Sequence, residues 1–381
     1  MTELSIARLV AGGDGLGFID GKAVFVPGVL PGERVSIRIA QRRGDYDRAV
    51  LVEVLEASPH RVSPGCRFAG HCGGCDWLHI SYDEQLRQKV AIVAEALRRT
   101  GHLQSEDPFI EPSEPWRTRN RAQVHRGPAG RLGYMGARSS QVIPVDACPI
   151  AVPSIEKLFR GDVRPPIGLE RFTVFGDGEM LAVEGGDDGR DLAVEVAGRR
   201  ILFSVGCFFQ SNLAVLRKLV PWALGDLQGE SAADLYCGVG LFGSLLASRF
   251  ERITCVESSA MSLAYARRNV SGASHEFYPM SVEQWIQSTA ASGRLDAVIV
   301  DPPRAGLSAE VREWLRLSRP PRLVYVSCNP VTLARDLGDL TAPGGLTLED
   351  LRLFDFYPQT SHVEAVAKLA CGGSEPALRR A

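Results

Sequence analysis

Hydrophobic and polar positions follow different rhythms in successive parts of the chain. Residues 1 to about 58 hold short alternating segments, Lys22 to Val26, Arg34 to Ile39 and Ala49 to Leu55, separated by Gly- and Pro-rich turns at Gly12 to Gly17, Pro27 to Gly32 and Gly44 to Asp47. A period of two between such turns predicts a small β-barrel. Tyr82 to Thr100 carries apolar residues at Leu86, Val90, Val93 and Leu97, and Gly101 stops the pattern. That spacing predicts an amphipathic packing helix. Residues 151 to 205 alternate strand-like segments with Gly- and Asp-rich turns.

Near residue 231 the rhythm becomes strand, turn, helix. Ala232 to Tyr236 is a short apolar strand, Cys237 to Gly240 a turn, and Leu241 to Ala247 begins a helix. Arg252 to Val256, Asp296 to Asp301 and Leu323 to Ser327 are further apolar strands, the last followed by an Asn329–Pro330 turn and a helical pattern reaching Leu337. Val363 to Leu369 alternates like an edge strand. Strands alternating with helices predict an α/β, Rossmann-like domain whose ligands lie in the crevice beyond the strands' carboxyl ends.

The 381 residues suffice for roughly two or three domains, each with its own core. We divide them into a barrel at 1–58, a central domain at 59–205, a Rossmann-like domain at 206–371 and a flexible tail at 372–381, with the helix from 82 to 100 packing on the Rossmann-like part. A hydrophobic fraction of 45%, a charged fraction of 23% and a net charge of -2 are ordinary for a globular protein, so nucleic-acid contact needs local basic patches. No apolar run reaches the roughly 20 residues of a membrane span, and MTELSIARLV lacks signal-peptide character. We expect a cytoplasmic monomer.

Several clusters carry candidate chemistry. Among nine cysteines, Cys66, Cys72 and Cys75 are gathered in CRFAGHCGGC, and Cys148 follows much later with Pro149 behind it. Four thiolates so spaced suit tetrahedral zinc or a [4Fe-4S] cluster, and spacing leaves both open. Arg117, Arg119, Arg121 and Arg126 stand in a stretch from Trp116 to Val145 with no Asp or Glu. RTRNRAQVHR alternates like a strand, which sets the first three on one side, with His125 and Tyr134 nearby for phosphate contact and base stacking, or else a solvated strand edge. Gly238 and Gly240 let a ligand approach the backbone, and Glu257 ends the second strand where nucleotide folds place a ribose-holding carboxylate. With no GxxxxGK present, S-adenosylmethionine fits better than a triphosphate. Asp301 ends an apolar strand in DPPR, and Cys328 sits where the Leu323 to Ser327 strand stops, either as a nucleophile or as a small buried hydrophobe.

Taken together, SCNP with Cys328, DPPRAG with Asp301, DLYCGVG with Tyr236, CFFQSN with Gln210 and HVEAV with Glu364 resemble the S-adenosylmethionine-dependent RNA uracil-5-methyltransferases. CRFAGHCGGC, the later Cys148 and the N-terminal barrel resemble the ribosomal-RNA branch, with a TRAM domain of OB type and a [4Fe-4S] cluster. The resemblance implies Cys328 as nucleophile and Glu364 as general base. It also implies Gln210, Tyr236, Gly238, Gly240, Glu257 and Asp301 around cofactor and base, and Cys66, Cys72, Cys75 and Cys148 as cluster ligands. The expected reaction is methylation of carbon 5 of a uridine in 23S ribosomal RNA, with transfer RNA as the alternative substrate and a non-catalytic iron-sulfur or zinc RNA-binding protein as the alternative class. Leu241 stands where many members have Asn or Thr, and Pro279 to Ser281 replaces a Gly-Asp-Ala-like run.

Overall fold

The computed structural model describes residues 1–186, 190–272, 274–372 and the backbone of 378–380. Its largest sheet has eight strands in the order Ser274–Tyr278, Phe250–Val256, Gly229–Leu235, Ala297–Val300, Arg322–Ser327, Glu364–Ala370, Thr347–Phe354 and Phe109–Glu111. The first five run parallel, and Glu364–Ala370 pairs antiparallel to both its neighbours. Ala297–Val300 is buried throughout because helices cover both faces, which is why its sequence is continuously apolar.

The last predicted strand needs correction: Glu364–Ala370 is interior, not an edge. Its alternation came from small and branched apolar residues on both faces, with Ala365, Val366 and Ala367 all buried. Helix Tyr82–Arg99 forms as predicted and lies against helix Pro330–Leu340, close enough that a Cβ on Gly101 would meet the Ala334 carbonyl at 2.7 Å.

At the N-terminus six strands form one sheet in the order Thr2–Ser5, Arg34–Arg42, Tyr46–Glu56, Lys22–Val26, Gly15–Ile19 and Arg8–Leu9. Leu4, Val24, Val26, Val35 and Ile37 fill its core. A second, five-stranded sheet contains Arg121–Arg126, Leu132–Met135 and Arg171–Asp177.

Other expectations also change. The stretch from 151 contains a helix, Pro153–Arg160, with Pro at its first turn and Gly161 in the left-handed conformation at its end, signals hidden among strand-like neighbours. The hairpin of Leu192–Val196 and Arg199–Phe203 shares the core of the large sheet, as Phe209, Leu216 and Leu246 do. Of the tail, 373–377 and 381 lie outside the described residues, and Leu378–Arg380 pairs antiparallel with Leu103–Ser105. Among the described residues no helix is long and apolar enough to cross a membrane.

Candidate active site

Strand register brings the two predicted catalytic residues together. Ser327 pairs with Ala365, so one step further Cys328 stands opposite Glu364, at the carboxyl edge of the parallel strands. Directly opposed residues share a face, with Cβ atoms about 5 Å apart. Asp301 follows Val300 at the end of the neighbouring strand. All three line one cavity of about 840 Å³, together with Gln210, Tyr236, Gly238, Glu257, Arg304, Tyr357 and His362.

Local capping fixes this edge. Asn329 caps helix Pro330–Leu340 by accepting from the Val331 N–H at 3.1 Å. Its amide also donates to the Arg304 carbonyl at 2.9 Å, tying the SCNP turn to the DPPR turn. Beneath them Asp336, fully buried, accepts from the Leu307 N–H at 2.8 Å and the Tyr325 hydroxyl at 2.6 Å.

Burial decides the protonation of this crevice. It pushes the Cys328 thiol up to about 11, with Glu364 adding to the rise and Arg304 opposing it. Burial and then Asp301 hold the Glu364 carboxyl well above the usual range. Burial raises Asp301 to about 7, and raises Asp234 to about 7 although the Gly243 N–H donates to it at 2.7 Å. Such a cluster of buried acids favours a cationic ligand, whose charge would restore their ionised forms.

Beside it the glycine turn forms a cradle. Tyr236, Gly238 and Gly240 all have positive φ, at 62°, 54° and 77°. A Cβ at Gly240 would meet Ala266 at 3.0 Å, whereas one at Gly238 would meet nothing, so Gly238 leaves open space facing the cleft. Glu257 accepts from the Gly238 N–H at 3.0 Å and the Ser259 N–H at 2.6 Å. Gln210 points a buried carbonyl oxygen that has no partner among the described residues. Predicted cofactor residues thus converge, and the orphaned acceptor with the open cradle fits a ligand bearing hydroxyl and amino donors. Gly240 packs behind the turn rather than along the cavity.

The arginine row does not form one face. The strand begins only at Arg121, because Arg117 has a φ of 58° that breaks the extension. Arg117 pairs with Glu156 at 3.3 Å, and Arg126 donates to the Leu169 and Pro166 carbonyls at 3.3 and 2.8 Å. Arg119 donates to the Gly74 carbonyl at 3.1 Å, beside the cysteines. Arg121 donates to the Cys207 carbonyl and lies over the Phe208 ring at 5.7 Å. Tyr134 is buried, which corrects its reading as a base-stacking ring. Arg119, Arg121 and His125 nevertheless line a second cavity of about 1230 Å³ that also touches the N-terminal sheet. It shares Phe208, Phe209, Tyr357 and His362 with the first cavity.

Cys66, Cys72, Cys75 and Cys148 line a common small cavity of about 30 Å³ with Arg119, Trp116 and Tyr134. Burial raises the Cys72 thiol and takes Cys75 up to about 12. Among the described residues no three His, Cys, Asp or Glu side chains converge as a single bound ion requires. The thiols therefore ring one space without closing on one point.

Sequence reasoning missed Asp234, Asn329, Tyr357 and His362. Asp234, Asn329 and His362 lie within motifs already singled out, DLYCGVG, SCNP and HVEAV, and Tyr357 a few residues before the last, but nothing in the spelling distinguishes them from their neighbours.

The parallel sheet, with its glycine turn and the Glu257 carboxylate at the ends of adjacent strands, is built to take a nucleoside-type cofactor. A family model described as tRNA (Uracil-5-)-methyltransferase matches residues 187–370, and a TRAM domain model matches residues 2–52. An uncharacterized RNA methyltransferase of Treponema denticola is 35% identical over 91% of this chain and 93% of its own length. A 23S rRNA (uracil(1939)-C(5))-methyltransferase of Pseudomonas entomophila is 31% identical over 97% of this chain and 94% of its own. The crystal structure of a Pyrococcus abyssi tRNA (uracil-54, C5)-methyltransferase with S-adenosyl-L-homocysteine superposes with a TM-score of 0.74 at 24% identity, covering 96% of this chain and all of that one. The chain belongs to the RNA uracil-5-methyltransferase family and is an enzyme.

Proposed function

We propose that this enzyme methylates carbon 5 of a uridine in 23S ribosomal RNA through a covalent adduct between Cys328 and the uracil ring. The observation that carries the reading is the register that sets Cys328 opposite Glu364 at the mouth of the cofactor cleft. Ribosomal RNA is favoured by relatives named for 23S rRNA that align over nearly the whole chain, including one of Vibrio parahaemolyticus at 30% identity over 96% of it.

Carbon 5 of uracil is too weak a nucleophile to take a methyl group unaided. Addition of the Cys328 thiolate to carbon 6 makes the ring an enolate able to attack an electrophilic methyl. S-adenosylmethionine supplies that methyl on a positively charged sulfur, and the residues to hold it are Gln210, Tyr236, Gly238, Glu257 and Asp301. Positive charge at this edge favours the ionised forms of Asp301, Glu364 and Cys328 that burial suppresses. Ionised Glu364 then removes the carbon-5 proton, and expulsion of the Cys328 thiolate restores the ring. A base stacked in folded RNA cannot reach this crevice, so the target nucleotide must turn out of its stack. The adjoining cavity lined by Arg121, His125 and Phe208 suits the flanking strand.

Cys66, Cys72, Cys75 and Cys148 hold a [4Fe-4S] cluster on this reading. Four thiols around one space fit ligands to separate irons better than a single zinc, whose four sulfurs must each approach within about 2.3 Å. Arg119 beside them offsets the negative charge of the thiolates. With all four positions filled the cluster serves structure.

The test is to map 5-methyluridine in 23S ribosomal RNA and in transfer RNA after incubation with the pure protein and S-adenosylmethionine. A new 5-methyluridine in 23S RNA is expected. Methylation of transfer RNA alone would transfer the assignment to that substrate.

A further inference from the structure

The turn that carries Tyr357 and His362 into the cleft, and leads to Glu364, is gripped from outside the catalytic sheet. Lys89 of helix Tyr82–Arg99 is fully buried. Its ammonium donates to Asp355 Oδ1 at 2.5 Å and to the Tyr357 carbonyl at 3.0 Å. Asp355 Oδ2 accepts from the Tyr82 hydroxyl at 2.8 Å, and the Tyr82 hydroxyl oxygen in turn accepts from the Ser113 N–H at 2.8 Å. The Asp355 N–H donates to the Glu111 carbonyl at 3.0 Å.

One helical turn earlier, Gln85 and Gln359 bond reciprocally. The Gln85 amide donates to Gln359 Oε1 at 3.0 Å, and the Gln359 N–H donates to Gln85 Oε1 at 2.8 Å. Gln359 has a φ of 65°, a conformation that a non-glycine residue holds only when its surroundings impose it. Just past Cys75, the Trp77 N–H donates to the Gln359 carbonyl at 3.0 Å, and Asp76 Oδ1 accepts from the Ser361 N–H at 2.9 Å.

A buried ion pair is a poor route to stability, since a well-packed apolar pair of similar volume is often as stable or more so. What Lys89 provides and an apolar residue cannot is direction: one ammonium fixes both the Asp355 carboxylate and the Tyr357 carbonyl. Tyr357 lines the cleft with Cys328 and Glu364. We propose that Lys89 and Asp355, with Gln85 and Gln359, are positioning residues for methyl transfer, which hold the turn from Asp355 to Ser361 so that Tyr357 and Glu364 stay aligned on Cys328. The inference rests on the uracil-methylation reading above and adds a device that aligns its groups.

The test compares wild type with Lys89→Met/Asp355→Leu, which replaces the ion pair by apolar volume, and with Gln359→Gly, which removes the bond from the Gln85 amide to Gln359 Oε1 while relieving the positive φ. Melting temperature, KM for S-adenosylmethionine, kcat on a 23S ribosomal RNA transcript and the rate of covalent adduct formation with 5-fluorouridine RNA are measured for each. Expected are melting temperatures close to or above wild type, an unchanged cofactor KM, and kcat and adduct rates lowered about 10- to 100-fold, the size of effect that an ångström of misplacement produces. Wild-type kcat in a folded double variant overturns the proposal, and so does wild-type kcat in Gln359→Gly should the double variant fail to fold. Wild-type protein that makes no 5-methyluridine in either RNA removes the underlying reading instead.

Discussion

Cys328 should be a sluggish thiol until the cleft is charged. Burial and the facing Glu364 take it to about 11, so at pH 7 about one molecule in ten thousand carries the thiolate. An exposed cysteine near its ordinary value of about 8.5 is ionised in about 3% of molecules at that pH, so Cys328 should react with iodoacetamide about 300-fold more slowly. Glu364→Gln removes the second contribution to the rise where Glu364 is ionised, so alkylation should quicken towards the alkaline end of the range, about tenfold for each unit restored. Arg304→Gln acts the other way, because Arg304 opposes the rise. S-adenosylmethionine and S-adenosylhomocysteine occupy nearly the same space but only the first carries a positive sulfur, so the ratio of rates with the two ligands isolates the effect of charge. The assay is mass-spectrometric quantification of the modified Cys328 peptide across pH 6 to 10. We expect faster labelling with S-adenosylmethionine than with S-adenosylhomocysteine, by about tenfold. A free-protein rate matching an exposed thiol, or no acceleration in Glu364→Gln, would refute the proposed electrostatics.

Asn329→Ala should cost about 1 kcal/mol in stability through the lost helix cap, and should lower kcat further because the tie to Arg304 goes with it, checked by denaturant melts beside turnover. Gly240→Ala forces a side chain onto Ala266 at a φ of 77°, so S-adenosylmethionine affinity measured by calorimetry should fall at least tenfold while Gly238→Ala, at a φ of 54° with open space around it, should suffer less packing damage. Asp301 titrates at about 7 in the folded protein against an ordinary 3.8, so the stability this gives is present below 3.8 and lost as pH rises through about 7. The melting temperature of Asp301→Asn should therefore fall less than that of wild type between pH 4 and pH 8, and equal slopes would contradict the burial argument.

Legibility from sequence varied with how local each cause is. Cys328 and Asp301 were readable because each follows an apolar strand that ends at a turn rich in proline, and strand ends face the crevice in this class of sheet. Glu364 was found by resemblance, not by pattern, since its strand alternates like an exposed edge yet is interior with that carboxylate 2% exposed. Burial depended on Thr347–Phe354 and Phe109–Glu111 joining the sheet beyond it, a pairing between distant parts of the chain. The arginine row failed for a related reason: a positive φ at Arg117 and carbonyls supplied by Gly74, Cys207, Pro166 and Leu169 divert its members inward. Lys89 was invisible for its role because a lysine on a helix ordinarily reaches solvent, and its partners, Asp355 and the Tyr357 carbonyl, lie far along the chain.

The most direct measurement of the central claim is to incubate the protein with S-adenosylmethionine and 5-fluorouridine-substituted 23S ribosomal RNA, then digest and sequence the cross-linked peptide. A 5-fluorine cannot be removed by Glu364, so the adduct should persist through denaturation and carry a methylated fluorouracil on Cys328, and Cys328→Ala should yield none. A stable adduct in Cys328→Ala, or methylation of unsubstituted RNA by that variant, would contradict the assignment of Cys328 as the point of covalent attachment.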